Sequence, residues 1–377
     1  MEQASEMSSR LVACLVAGKD AGEAYPSLLH YLQLGLTAEH IEVLRVVLQG
    51  ESLSTLHPGT QVVLEDRSLA WPLSHWSRKA LAEQVRRKLE PMQRGAPLVV
   101  HGLGPEAAPV AAMIAAATGA EMIVTVSSLA QAAEAGSARY FQKAAAILCL
   151  SSRIRDALSA SLRNTKRVEV VPVGINAGQQ ASAFSEPGRA PVLLYAGPLT
   201  DECGLDCLLR AIKVVLLKKS DLLAFLVGKG PAEDGLRRLA ESLDIQASVT
   251  FTGRLDDWRA VLTAADMLVL PSATSMWREE GVVAMGAGVC VIAMEGCICD
   301  ELRSEGMAMH YRRGDDAELA QRILELISEP AAARRLAGAG QEYVRANQSP
   351  AKMIDAHVQL YRAMTDKQRT LAFPSRA

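Results

Sequence analysis

A chain of 377 residues with 49% hydrophobic and 22% charged residues has the composition of a globular protein large enough for two buried cores. Its net charge of −2 gives no electrostatic attraction for a polyanion, so we expect no nucleic-acid partner. No apolar run approaches the length of a membrane span, and the apolar stretch 11–17 is too short and weakly flanked for a signal peptide, so we expect a cytoplasmic location.

Short apolar runs alternate with helical patterns along the chain. In the first half the predicted strands are 11–17, 41–48, 97–101, 122–126, 145–150 and 168–173. In the second half they are 192–196, 222–227, 249–252, 267–270 and 289–293. Strands that alternate with helices predict mainly parallel sheets covered on both faces, which makes each half a doubly wound α/β domain.

The segment 176–190 is rich in Gly, Ser, Gln and Pro, a composition typical of a linker. We therefore predict a Rossmann-like domain over 1–178 and a second over 187–348. The two are expected to face each other across a central cleft, where ligands usually bind.

Seven cysteines are scattered along the chain, which suggests reduced thiols. Cys203 and Cys207 lie one helical turn apart, and Cys297 and Cys299 flank one residue. The sequence does not supply the four or so converging ligands of a metal site, so no metal is expected. We interpret these cysteines as packing residues, with a metal or redox role as the alternative.

Six segments of the second half have a more specific pattern. They are LLYAGPLTDECGLDCLLRAI, FLVGKGPAEDGLRRLAESL, VTFTGRLDD, AADMLVLPS, VVAMGAGVCVIA and YRRGDDAELAQRILELI. In order and spacing they resemble the C-terminal domain of glycosyltransferase family 4, the glycosyl transferases group 1 of the GT-B fold. The first half is similar more weakly, through LVVHGLG, IVTVSS, AILCLSSRIRDAL and VEVVPVGIN.

The resemblance implies an activity and a final element. Members of this family are retaining hexosyltransferases that use a nucleotide-diphosphate sugar as donor, without a metal or other cofactor. A helix in the last segment, 349–377, is implied to cross back to the first domain.

The resemblance also implies where positive charge should lie. The family stabilises the departing nucleoside diphosphate with an arginine and a lysine, and such preorganised cations are among the larger catalytic contributions. Here the arginine position, after Gly197, is Pro198, and the lysine position is Cys203. Neither side chain can carry a positive charge, so the donor site is degenerate.

Other family positions have changed as well. The two glutamates expected around the donor sugar and ribose fall on Ser275 and Val283, and the histidine expected in the first domain falls on Ser127. Glu301 is retained, although the paired glycines before it are replaced by cysteine and isoleucine.

Nearby charges offer compensation. Lys229, Arg254 and Arg278 lie on loops that could bind a diphosphate, and Glu280 lies near the missing acids. The simpler interpretation is that all four are solvated surface charges. The sequence also leaves the roles of His101 and Trp277 open. The histidine is either a family strand-end residue or a structural hydrogen-bonding group. The indole either covers a ligand or packs in a core or interface.

Three functions remain open. The first is nucleotide-sugar-dependent glycosyl transfer with an altered donor site. The second is a non-catalytic protein that binds a ligand on the GT-B scaffold. The third is a regulatory subunit that pairs with an active glycosyltransferase. Loss of both cations and both glutamates favours the second and third, whereas ancestry favours the first.

Overall fold

The computed structural model describes residues 11–49, 57–70, 73–93, 95–162, 167–186, 188–218, 221–255, 257–272, 274 and 276–372. These residues divide into two compact units. The first comprises the described residues up to Gly174 together with Met276, Trp277 and the chain from Pro350 onward. The second comprises the remaining described residues between Ile175 and Ser349.

The first unit contains a parallel sheet of seven strands in the order β3-β2-β1-β4-β5-β6-β7. Its strands are β1 (Leu11–Ala17), β2 (Ile41–Gln49), β3 (Thr60–Ala70), β4 (Leu98–Leu103), β5 (Glu121–Val126), β6 (Ala146–Cys149) and β7 (Arg167–Val170). Its helices include α1 (Lys19–Ala24), α2 (Pro26–Ala38), α3 (His75–Gln93), α4 (Ala107–Thr118), α5 (Leu129–Ala133), α6 (Arg139–Lys143) and α7 (Ser152–Ser161).

The second unit contains a parallel sheet of six strands in the order β10-β9-β8-β11-β12-β13. Its strands are β8 (Val192–Ala196), β9 (Leu223–Val227), β10 (Val249–Gly253), β11 (Met267–Leu270), β12 (Cys290–Met294) and β13 (Met309–Tyr311). Its helices include α8 (Leu205–Lys218), α9 (Glu233–Ser242), α10 (Glu280–Gly286), α11 (Asp300–Arg303), α12 (Asp316–Ser328) and α13 (Pro330–Asn347). The last helix of the chain, α14 (Pro350–Ala372), belongs to the first unit.

Both sheets are doubly wound, which confirms the predicted α/β class. In each, the strand order reverses beside the first strand of the unit, β1 or β8, so the two neighbouring strands send their connections to opposite faces. The core of the second unit is apolar: α8 buries Leu205, Leu208, Leu209 and Ile212 against the sheet. Each such side chain contributes about 1.5–3 kcal/mol of burial free energy.

Two strands were not predicted. β3 includes the charged run Glu65 to Arg67 and lies at the sheet edge, so it lacks the continuous apolar pattern of its neighbours. β13 is three residues long and also lies at an edge. A strand at an edge has one neighbouring strand, and the hydrophobic pattern that reveals a central strand is weaker there.

Candidate functional site

The loops at the carboxyl edge of the second sheet are built by close backbone contacts. A Cβ on Gly228 would lie 1.8 Å from the Gly197 carbonyl oxygen, and one on Gly230 would lie 2.1 Å from that of Leu199. Backbone hydrogen bonds join the same segments: the Leu199 N–H donates to the Lys229 carbonyl over 3.1 Å. The backbones of the loops after β8 and β9 are therefore in direct contact and form one continuous surface. This contact requires glycine at Gly228 and Gly230, because a Cβ would not fit.

The loop after β11 joins this surface. Gly204 has a φ of +67°, and a Cβ there would lie 2.5 Å from the Pro271 carbonyl oxygen. The loops that follow β8 and β11 thus meet at the point where the strand order reverses, which is the ligand-binding position of open α/β sheets. This set of loops, after β8, β9 and β11, is called here the switch-point loops.

The switch-point loops carry acids where a diphosphate-binding loop would carry cations. Pro198 is exposed, and its carbonyl accepts a hydrogen bond from the Tyr195 hydroxyl over 2.7 Å. Cys203 is buried, with its Sγ 3.2 Å from the Thr200 hydroxyl oxygen. Two exposed acids, Asp201 and Glu202, come directly before Cys203. An anion placed at the start of α8 would meet these carboxylates, which opposes the attraction of the helix N-terminus.

Arg278 is the candidate cation that interacts electrostatically with Cys203, one of the positions expected to carry positive charge. Its guanidinium forms an ion pair with Glu280, in which Nε and Nη2 donate to Oε1 over 3.0 and 2.5 Å. Burial alone would lower the pKa of Arg278, but the charge and hydrogen bond of Glu280 outweigh it and the pKa is raised. Tyr195 and Cys203 act electrostatically on the same guanidinium, so Arg278 lies within electrostatic range of both residues.

Two buried acids stand at the start of α10. Glu279 and Glu280 are 1% and 5% exposed, and each pairs with an arginine: Glu279 with Arg259, and Glu280 with Arg278. One turn into the helix, the buried Val283 contributes only its amide, which donates to the Glu279 carbonyl over 2.8 Å. The position expected to hold the other family glutamate, Ser275, lies outside the described residues.

Glu301 lies in α11 and is 3% exposed. The Gln348 amide donates to its Oε1, while its Oε2 is buried without a hydrogen-bond partner. Burial raises the pKa of this carboxyl to about 7, and the neighbouring Asp300 and Cys297 act in the same direction. Glu301 is therefore a buried carboxyl that can exchange a proton near neutral pH.

Lys229 and Arg254 are exposed at the ends of β9 and β10. The Lys229 Cε lies 3.4 Å from the position that a Cβ on Gly253 would take, so its side chain runs along the edge of the loops. The structure thus separates the four candidate charges into an exposed pair and an ion pair between the half-buried Arg278 and the buried Glu280.

Ser127 and Trp277 come together in the first unit. The Trp277 amide donates to the Ser127 carbonyl over 2.7 Å, and the Tyr25 hydroxyl donates to the Ser127 Oγ over 3.3 Å. The indole is fully buried, which places Trp277 in the core. Tyr25 and Gln131, whose Oε1 accepts from the Ser127 amide, were not predicted as partners. Tyr25 lies 102 positions from Ser127, so nothing in the local pattern signals that contact, whereas Gln131 follows Ser127 by only four residues.

His101 is a structural hydrogen-bonding group. It is fully buried in β4, with Nδ1 2.6 Å from the Tyr361 hydroxyl and Nε2 2.7 Å from the Thr125 Oγ1. Burial, and then the charge of His357, lowers the pKa of its imidazole well below the usual value. The neutral imidazole is hydrogen-bonded at both ring nitrogens, and the bond to Tyr361 joins α14 to β4.

A search of the described residues finds no group of three or more His, Cys, Asp or Glu side chains that could hold a metal ion. Within the same part of the chain, no helix combines the length and the apolar character that crossing a membrane requires.

Comparison with known proteins agrees with this fold. Residues 190–329 match the family model of glycosyl transferases group 1. A glycosyltransferase from Rickettsia africae ESF-5 has a similar structure, with a TM-score of 0.75 at 14% identity over 95% of this chain and 99% of that one. HepE of Anabaena, solved with UDP and glucose, is similar with a TM-score of 0.74 at 15% identity over 93% and 98%. The chain is a glycosyltransferase family 4-like protein.

Relatives with known roles match this glycosyltransferase-4-like protein over shorter stretches. The 2-deoxystreptamine glucosyltransferase of Streptomyces kanamyceticus is 28% identical over 54% of the chain and 56% of its own length. The lipopolysaccharide core biosynthesis glycosyltransferase LpsD of Rhizobium meliloti strain 1021 is 30% identical over 46% and 50%. The chain spans about half the length of these relatives.

Proposed function

We propose that this glycosyltransferase-4-like protein no longer transfers sugar and acts as a ligand-binding or partner subunit on the GT-B fold. The observation that carries the proposal is the charge of the switch-point loops. Pro198 and Cys203 stand where cations should stabilise the leaving diphosphate, and Arg278, which interacts electrostatically with Cys203, is held by the buried Glu280. A cation neutralised by a buried carboxylate gives little net stabilisation to a second anion.

The energetic consequence follows from the number of changes. Removing one preorganised charge or hydrogen-bond donor from a transition state costs about 3 kcal/mol, or 10²–10³ in rate. Pro198, Cys203, Ser275 and Val283 replace four such groups of the family. Even with partial overlap between their effects, the loss removes most of the rate enhancement that the fold could provide.

A nucleotide sugar remains the proposed ligand class. The glycines that bring the switch-point loops into contact are retained, so the backbone surface is kept although its charges are lost. HepE binds UDP and glucose, and a relative is a glucosyltransferase, which makes UDP-glucose the first probe to use.

Arg278 supports a second candidate, an active enzyme with a relocated cation. Its guanidinium lies beside Cys203, so a diphosphate that displaced Glu280 would meet a positive charge close to the ancestral position. On this hypothesis Arg278→Gln would lower the turnover of a nucleotide sugar by about 10²–10³.

An assay of nucleoside diphosphate release separates the two. Purified protein is incubated with UDP-glucose and, separately, with GDP-mannose, and the released UDP or GDP is quantified. We expect no release above the spontaneous rate. Release that Arg278→Gln abolishes would establish the second candidate and overturn the first.

Restoring the two cations tests the cause of the loss. Pro198→Arg with Cys203→Lys should bring UDP affinity into the range that a thermal-shift assay detects, about 2.7 kcal/mol of stabilisation at 100 times the dissociation constant. Leu217→Arg with Gln246→Lys, two exposed positions of the same unit, adds the same charge elsewhere and is the matched control. An equal gain in both variants would show that net charge, rather than the switch-point loops, governs binding.

Location and partners complete the proposal. All seven cysteines are thiols, which supports a reducing compartment and hence the cytoplasm. As a partner subunit the protein would associate with an active glycosyltransferase. Cell fractionation, and copurification of a nucleotide-sugar-hydrolysing activity that this chain lacks alone, test these two points.

A further inference from the structure

Two thiols occupy the loop between β12 and α11. The chain bends at Ile298, which brings the side chains of Cys297 and Cys299 to its two sides, and their thiols are within hydrogen-bonding reach of each other. Cys297 is half-buried, so a small reagent can approach it, whereas Cys299 is buried. The pair therefore combines one accessible sulfur with one protected sulfur.

A buried acid accompanies the pair. Glu301 acts electrostatically on both thiols, and its Oε2 has no hydrogen-bond partner. The other groups that bear on this carboxyl are Asp300, the Gln348 amide and the Tyr343 hydroxyl. None of them is a cation. Hydrogen bonds from the Glu301 backbone amide and from Gln348 favour the ionised carboxylate, but burial outweighs them, and the pKa of about 7 lets Glu301 bind or release a proton near neutrality.

We propose that Cys297 and Cys299 form a reversible redox site in which Glu301 accepts the proton of Cys299, with a small-molecule disulfide as the oxidant. The proposal is independent of whether the protein transfers sugar.

The reaction balances in two exchanges. Cys297 loses its proton to solvent, and its thiolate attacks the disulfide RSSR, forms a Cys297–SR bond and releases one RS⁻, which takes up a proton. Glu301 takes the proton from Cys299, whose sulfur attacks the Cys297 sulfur, closes the internal disulfide and releases the second RS⁻, which is then protonated. The dithiol loses two electrons and RSSR becomes two RSH.

Oxidation would also reach the switch-point loops. The Cys299 thiol donates to the Arg278 carbonyl over 3.6 Å, and closing the disulfide removes that proton. Arg278 is the residue whose side chain pairs with Glu280 beside Cys203. The redox state of the pair would therefore bear on the loop that holds Arg278.

The test uses oxidised glutathione on the native full-length protein, followed by alkylation, denaturation and mass spectrometry. Cleavage after Glu295 and Glu301 releases residues 296–301, GCICDE, which contain both thiols and no other cysteine. We expect this peptide to lose about 2 Da and to resist alkylation, with reversal by a thiol reductant. A peptide that stays fully alkylated, or carries glutathione on both cysteines, would overturn the proposal.

Variants assign the roles within the site. Cys299→Ala should stop at a glutathione adduct on Cys297, and Cys207→Ala, at a buried thiol of α8, is the matched control that should oxidise as the unaltered protein does.

Glu301→Gln should slow ring closure about tenfold, because a proton acceptor is lost, and Glu301→Asp should restore part of the rate. The rise of the closure rate through about pH 7 should disappear in Glu301→Gln. An unchanged rate and pH profile would remove Glu301 from the mechanism.

Discussion

Gly228 illustrates how single residues shape the switch-point loops. Its φ of +151° is in a region that side chains rarely adopt, and the carbonyl of Gly197 occupies the space that a Cβ would need. Because the obstacle is backbone, no side-chain rotation can relieve it. The backbone contact of these glycines does not depend on the side chains of Pro198 and Cys203, so the loop backbone and the loop charge are separable features.

We expect Gly228→Ala to destabilise the protein by at least about 2–3 kcal/mol, since both the conformation and the contact are unfavourable. Gly235→Ala is the matched control: this glycine lies in α9, is exposed and has nothing within 4 Å of a built Cβ. It should stabilise by about 0.5–1 kcal/mol. Urea unfolding monitored by circular dichroism measures both, and a similar effect for the two would contradict the backbone contact.

Arg278 and Glu280 show what a residue-level reading of the sequence misses. The sequence identifies both as charges near the missing acids, and it leaves surface exposure and compensation as alternatives. The structure buries Glu280 and places the arginine against it. Two charges separated by one residue give no periodic signal, so their pairing depends on how the loop enters α10.

At the scale of elements, α14 is joined to β4 by a buried polar contact. Tyr361 of the helix meets His101 of the strand, and the His357 Nδ1 is 2.8 Å from the Met353 carbonyl oxygen. Both imidazoles are buried, and burial lowers the pKa of His357 to about 4. The helix therefore depends on neutral histidines, which links its stability to pH.

Stability of the first unit should fall in mild acid. An unfolded histidine titrates near pH 6.5, so the contribution of the neutral His357 is complete above that pH and is lost as the pH falls towards about 4. The expected loss is about 3 kcal/mol. His357→Gln should flatten this acid dependence, and His30→Gln, at an exposed position, is the control. The measurement is the free energy of unfolding from urea titrations between pH 4 and 8; parallel curves for His357→Gln and the unaltered protein would refute it.

At the scale of the whole molecule, the first unit is assembled from distant parts of the chain. Its sheet lies within residues 11–170, yet α14 begins at Pro350, and Met276 and Trp277 also belong to it. The second unit is encoded between these parts. Folding of the first unit thus requires residues from both ends of the described chain.

Deleting residues 350–377 should therefore damage the first unit although the deletion follows the second. We expect amide hydrogens of β4 to lose protection, because His101 loses Tyr361 and the strand loses its helix. Hydrogen exchange followed by mass spectrometry is the measurement. The strands β8 and β9 of the second unit are the internal control and should keep their protection. Loss of protection in those strands at the same rate would show that the two units unfold together.

Much of the fold follows from the sequence because its signals are local. Apolar runs alternating with helical patterns predicted most strands of both sheets, and the resemblance to glycosyltransferase family 4 gave the GT-B fold. The edge strands β3 and β13 were not predicted, because a strand with only one neighbouring strand has a weaker apolar pattern in its sequence. Only part of the site could be predicted from the sequence. Pro198 and Cys203 could be identified from their positions along the chain, whereas the partners of Ser127 could not.

The amino-acid sequence by itself determined the alternation of strands and helices and the absence of cations at Pro198 and Cys203, since both depend on residue type and spacing. Only the tertiary structure decided that Trp277 is core, that Arg278 is held by Glu280, and that Glu301 is buried beside two thiols. Those properties arise from solvent exclusion and from contacts made only in the folded chain, as is the contact of His101 with Tyr361, 260 positions away. A charge acquires its chemical behaviour from the groups packed around it, and packing exists only in the folded chain.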